Sequence, residues 1–169
     1  VLPGTDDDWH KKWVDSRLKW WINQGISANK IKLLNITGDD LAHYSKSTVD
    51  IMYEFPHGLE ELEGIANRTD FDLGSHSKNQ DDLSLTSSTL KNNASNTKLA
   101  IQDLENKKLI VTYVIEPSAG VYRGLFSILN EAYNIKKIDY DTDIIVLCFN
   151  KHLDPIKQAC RPLKTNKQK

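Results

Sequence analysis

Val49-Asp50-Ile51-Met52-Tyr53-Glu54-Phe55 runs into Pro56-His57-Gly58 and then, past Leu59, into Glu60-Glu61-Leu62-Glu63-Gly64-Ile65-Ala66. The first seven residues alternate strictly, with Val49, Ile51, Tyr53 and Phe55 on one face. That is the period of a strand with one side buried. Pro-His-Gly is turn chemistry, so the following segment pairs back as the second arm of an antiparallel hairpin. On a regular strand Glu61 and Glu63 point to the same face.

Upstream, Asp6-Asp7-Asp8 offers helix caps and acids for a first turn, where negative charge is favourable. Trp9, Trp13, Trp20 and Trp21, with Val14 and Leu18, recur at three- and four-residue spacing, the pattern of an amphipathic helix stopping near Gly25. These tryptophans suit a core or dimer surface better than a base-stacking platform. Ile31 to Ile36 reads as a short strand. Downstream, Gly74 to Thr97 turns to Ser, Asn, Thr, Lys and Asp, as in a long mobile loop or insertion. Order resumes at Leu99 to Ile101. Lys108 to Ile115 is an apolar strand, Ala119 to Tyr133 a helix, and Ile144 to Phe149 a short buried strand. The order helix, strand, hairpin, loop, strand, helix describes an α+β domain: an antiparallel β-sheet with a helix on one face.

The 169 residues suffice for one cored domain, and 39% hydrophobic with 27% charged residues is ordinary globular composition. No apolar run approaches the roughly 18 residues of a membrane span. Lys+Arg number 22 against Asp+Glu 23, which argues against a DNA-coating protein and leaves room for a local RNA-binding patch. Arg161, Lys164, Lys167 and Lys169 could form one, although such a tail usually serves only to be solvated. Cys148 and Cys160 are too few for a disulfide scaffold and fit reduced thiols in a cytoplasmic protein. The chain shows no targeting segment and opens without Met, which suggests a piece cut from something longer.

No phosphate-binding glycine loop, His-Glu-x-x-His or paired Cys-x-x-Cys is present, and the five histidines are scattered. The distinctive feature is polar residues within strand-like segments. Glu61 and Glu63 lie in one, Glu116-Pro117-Ser118 ends another, Arg68, Asp70 and Asp72 follow the first, and Arg123 opens the last helix. Carboxylates on a sheet can hold an ammonium by charge-assisted hydrogen bonds, whereas an Arg attracts a phosphate or carboxylate. Both together suit an amino acid presented beside a nucleotide. The plainer reading makes Glu63 and Arg68 a surface ion pair, Arg123 an exposed helix residue, and Ser118-Ala119-Gly120 a helix cap.

His43 to Ile51, Phe55-Pro56-His57-Gly58 and Glu61 to Leu73 together resemble the dimeric class II glycyl-tRNA synthetases. Val114 to Arg123 resembles motif 3 of that family. Pro3-Gly4-Thr5-Asp6 with its Trp-rich helix, and Leu153-Asp154-Pro155-Ile156-Lys157 at the hinge to an anticodon-binding domain, are similar too. The likeness spans the chain apart from about residues 75–106. It implies an antiparallel sheet flanked by helices, with residues 1–150 the C-terminal part of a catalytic domain and 151–169 the hinge. It also implies glycine, ATP, glycine tRNA and a homodimer as partners, Mg²⁺ as cofactor, a cytoplasmic setting, and no membrane or DNA partner.

Carried over by position, Glu61, Glu116 and Ser118 would hold the glycine ammonium and Arg123 would contact ATP phosphates. Glu63 and Arg68 would lend support, and Glu116 is a possible metal ligand. Catalysis would be positioning and charge stabilisation, with no protein nucleophile. Motifs 1 and 2 and the anticodon-binding domain are not found in this chain, Tyr122 stands where bacterial members usually carry Asp, and the Ser/Asn-rich stretch is unlike the family. The expectation is therefore a ligase fragment inactive alone. The alternative is a non-catalytic paralogue that binds a small amino acid, a nucleotide or a partner protein.

Overall fold

A computed structural model describes residues 1–104 and 106–158. The basic tail residues Arg161, Lys164, Lys167 and Lys169, along with Cys160, lie outside them. Four strands form the main sheet: β1 (Ile31–Ile36), β2 (Ser47–Phe55), β3 (Gly58–Thr69) and β6 (Val114–Ala119), in the order β1-β2-β3-β6 with every neighbour antiparallel. Phe55 pairs with Gly58 across the Pro56-His57 turn, and Gly58 takes φ +130°, which glycine adopts without strain. The α+β expectation is met.

Helices α1 (Asp6–Asn23) and α3 (Val121–Ala132) cover one face of the sheet. Val14 and Trp21 of α1 pack with Ile26, Ile51, Tyr53, Phe55, Leu62 and Ile65, and Leu18 and Ile128 close the edges. Close approach of the two helices depends on Gly124, where a Cβ would stand 2.9 Å from Trp21 Cη2. Only Trp21 of the four tryptophans is in this core, 3% exposed; Trp9, Trp13 and Trp20 face outward. The buried stripe of α1 is instead partly polar, running through Asp6, His10, Val14 and Trp21. Its polar members are satisfied by the sheet and by Lys46, the residue before β2. Asp6 Oδ2 accepts bonds of 2.7 Å from both Asn67 Nδ2 and Lys46 Nζ, and a ring nitrogen of His10 lies 2.8 Å from Ile65 O.

The hairpin contains a bulge that the alternating pattern hides. Ile51 pairs with Glu63 but Met52 pairs with Glu61, leaving Leu62 as an extra residue on β3. One inserted residue turns the preceding side chains over. Glu63 therefore faces the helices while Glu61 faces away, contrary to the shared face expected.

Other expected boundaries shift. The apolar run at Lys108 stops as a strand at β5 (Lys108–Ile110), paired with β4 (Ile101–Asp103) in a separate two-stranded sheet. Ser118 and Ala119 belong to β6, so α3 starts at Val121 after Gly120 and ends before Tyr133. Tyr133 instead opens β7 (Tyr133–Asp139), which pairs with β8 (Thr142–Leu147). The strand expected to be buried at Ile144 is thus an exposed arm of a second hairpin. The Ser/Asn-rich stretch is tied down: beyond α2 (Phe71–Ser75), the buried Asp70 carboxylate accepts the Thr86 and Ser87 amides at 2.5 and 2.9 Å. Ser77 Oγ accepts the Leu99 amide at 2.9 Å.

Candidate functional site

The face of the sheet away from α1 and α3 carries a cleft of about 500 Å³. Its floor follows the ladder register. One row across the strands is Asp50, Gly64 and Ser118; the next is Thr48, Ala66 and Glu116. Small residues at Gly64, Ala66 and Ser118 keep the floor low, and the segment after β1 raises a wall through Asp40, Ala42 and Tyr44. Asp40, Asp50, Glu61 and Glu116 line it against one guanidinium, Arg68, so the cleft favours a cationic group.

Arg68 is held on every side. Nε and Nη2 donate to the two Asp72 oxygens at 2.6 and 2.7 Å, and Nη1 donates to Glu116 Oε2 at 2.8 Å. Its guanidinium stacks 4.0 Å over the Tyr44 ring. The fork-to-carboxylate pairing holds the Asp72 carboxyl below the usual range and raises Arg68, which stays charged. Asp50 differs. Burial, and then the nearby Glu61 charge, push its carboxyl up. Arg123 reaches the rim, where Nη1 donates to the Glu61 carbonyl at 2.7 Å and lies 3.9 Å from Glu61 Oε2.

Of the sequence-predicted residues, Glu61, Glu116, Ser118 and Arg68 meet in this cleft, and Arg123 stands beside Glu61. Glu63 does not. It is 1% exposed on the opposite face, taking the Trp21 indole N–H and, at 2.6 Å, Arg17 Nε. Nor does it pair with Arg68, so neither a supporting role in the cleft nor a surface ion pair fits it. Sequence reasoning assigned no role to Asp50 or Tyr44, and it named Asp72 beside Arg68 without pairing the two. Asp50 was legible as a polar residue of β2 opposite the Val49, Ile51, Tyr53 and Phe55 face; Tyr44 carried no such signal.

No family model matches the chain. Among curated proteins it is 48% identical, over 99% of its own length, to a glycine–tRNA ligase of Deinococcus radiodurans and 51% identical, again over 99%, to one of Thermus thermophilus. The chain is homologous to one segment of the glycine–tRNA ligases. It spans 33% of each of those two ligases and 34% of a third, from Thermobifida fusca, to which it is 42% identical. In ligase terms the matched segment contains the cleft, both helices behind it and the strand–helix pair β6–α3. Among the described residues no helix is long and apolar enough to cross a membrane.

Proposed function

We propose that this chain supplies part of the catalytic domain of a glycine–tRNA ligase, with the cleft as its amino-acid site. The supporting observation is the low floor of Gly64, Ala66 and Ser118 set among carboxylates. Glycine has no side chain to grip, so selection must come from holding its ammonium and leaving no room for a Cβ. Glu61, Glu116 and Ser118 hold the ammonium, Arg68 orients Glu116, and Arg123 contacts ATP phosphates. The glycine carboxylate then attacks the α-phosphorus and pyrophosphate leaves; a ribose hydroxyl at the 3′ end of glycine tRNA attacks the adenylate carbonyl, forming the ester as AMP and the hydroxyl proton leave. The chain's residues act by positioning, with none forming a covalent bond. A cytoplasmic setting, a homodimer and residues 151–169 as a hinge belong to the same proposal. Just before that segment Asn150 Nδ2 donates to Asn23 O at 2.8 Å, and within its described part a His152 ring nitrogen lies 2.7 Å from Gln24 Oε1, beside the end of α1.

Mg²⁺ is expected with ATP. Among the described residues no three His, Cys, Asp or Glu side chains are grouped to hold an ion, and Glu116 already engages Arg68 at 2.8 Å. These residues do not make a divalent site by themselves, and Glu116 as a metal ligand would have to share its carboxylate with Arg68.

Calorimetric titration tests the reading. Glycine and a non-hydrolysable glycyl-adenylate mimic are expected to bind and L-alanine to fail. Loss of discrimination between glycine and alanine would overturn the amino-acid assignment, and absence of binding would favour the non-catalytic paralogue. Glycine-dependent pyrophosphate exchange by the chain alone is expected to be negligible, because it spans only 33% of the ligases it matches; substantial exchange would contradict that.

A further inference from the structure

Asp50 occupies the centre of the cleft floor, yet neither the fold nor the site as described has a use for it. Among the described residues no hydrogen bond or ion pair engages its carboxylate, whereas Glu116 has Arg68, Asp72 has Arg68, and Glu61 has Arg123 near one oxygen. Its register partners are Leu34 on β1 and Gly64 on β3. The Leu62 bulge brings Glu61 to the same spot from along the strand. A Cβ built on Gly64 would stand 3.2 Å from Asp50 Oδ1 and 3.4 Å from Glu61 Oε1. Two carboxylate oxygens therefore converge over a backbone that has no side chain, leaving space for a small group with several donors.

We infer that Asp50 is a specificity-determining residue of this cleft: its carboxylate and that of Glu61, converging over Gly64, take the ammonium group of the amino-acid ligand. The inference rests on the amino-acid reading of the cleft and adds to it a residue and a steric requirement. An ammonium presents three N–H donors on a centre about the size of a methyl group, and bonds to carboxylates at about 2.7–2.9 Å. The Asp50–Gly64–Ser118 row suits it because the cation that would compete, Arg68, faces the neighbouring Thr48–Ala66–Glu116 row and is spent on Asp72 and Glu116. Gly64 is required because a methyl there occupies the approach between the two oxygens. Its backbone is not in the left-handed region, so alanine is compatible with the strand and G64A tests space rather than folding.

The measurement compares affinities of the chain, D50N and G64A for glycyl-sulfamoyl adenosine and its hydroxyacetyl counterpart, which differ only in ammonium against hydroxyl. Methylammonium and Mg²⁺ are titrated separately, and circular dichroism melts confirm folding. The unsubstituted chain is expected to prefer the amine by at least tenfold. D50N should bring that ratio near one with little change for the hydroxyl compound, and G64A should lose the amine. A merely structural Asp50 would weaken both compounds alike. Retention of the preference in D50N overturns the inference while leaving the glycine reading intact. If neither adenylate mimic binds, the glycine reading fails; methylammonium binding that needs Asp50 then still sustains the ammonium subsite, and its absence removes both. Asp50-dependent binding of Mg²⁺ without an amine preference makes the two carboxylates a metal pair and also overturns the inference.

Discussion

Glu63 takes one donor on each oxygen, Trp21 and Arg17, both from α1. That makes a buried carboxylate the rivet between helix and sheet. Glu63→Ala strands an indole N–H and a guanidinium in the interface, and should cost roughly 3 kcal/mol. Glu63→Gln keeps an acceptor for Trp21 and should cost less; equal urea midpoints for the two variants would contradict this account. The acid side of the stability profile has a definite sign. Burial pushes the Asp6 carboxyl up, but its bonds from Lys46 and Asn67 outweigh that and hold it low; Asp72 is held low chiefly by Arg68. Stability from these two is complete above the unfolded value of about 3.9 and lost as pH falls through the lower folded values. Asp50, raised by burial and by Glu61, acts oppositely and disfavours the fold as pH rises past its unfolded value. Urea midpoints followed from pH 5 downward should decline less steeply for Asp6→Asn than for the unsubstituted chain.

At the scale of elements, α1 shows how an aromatic-rich helix divides its residues. Trp21 fills the angle between α3 and the sheet, whereas Trp9 and Trp20 lie outside with Lys12 and Arg17 over their rings at 4.1 and 4.3 Å. Trp21→Ala should cost about 3–5 kcal/mol and Trp13→Ala about 1 kcal/mol or less, read from denaturant unfolding. The hairpin β7–β8 is the reverse case, an apolar element with little cover. Ile135 and Ile145 pair across it at 60% and 66% exposure. Replacing both with Lys should leave the unfolding midpoint nearly unchanged and slow aggregation in light scattering; a large loss of stability would mean that the pair is part of the core.

Over the whole molecule, cohesion belongs to the four-stranded sheet and its two helices, while β4–β5 and β7–β8 are separate two-stranded ribbons, marginal by themselves. Native-state hydrogen exchange should find the slowest amides in β2 and β3 and early exchange in both ribbons; equal protection throughout would deny that division. The same division marks what was readable in advance. The Val49–Phe55 alternation and Pro56-His57-Gly58 declare a hairpin because one face is buried and the turn is local. β7 escaped notice because Asn134, Lys136, Lys137 and Asp139 interrupt a strand with no buried face. The Ser/Asn-rich stretch looked structureless because its order comes from a distant acceptor, Asp70, and not from its own composition.

The cleft divides in the same way. Glu61, Glu116, Ser118, Arg68 and Arg123 were visible as polar residues in apolar segments and as matches to a family's motifs, since residue type and spacing are written in the chain. The α+β class and the kinship to glycine–tRNA ligases were legible for the same reason. Tertiary structure alone decided that Glu63 braces a helix while Glu61 faces the cleft, and that Asp50 meets Glu61 above Gly64. Both outcomes turn on one unpaired residue, Leu62. A bulge is a property of two strands in register, and no single strand's pattern contains it.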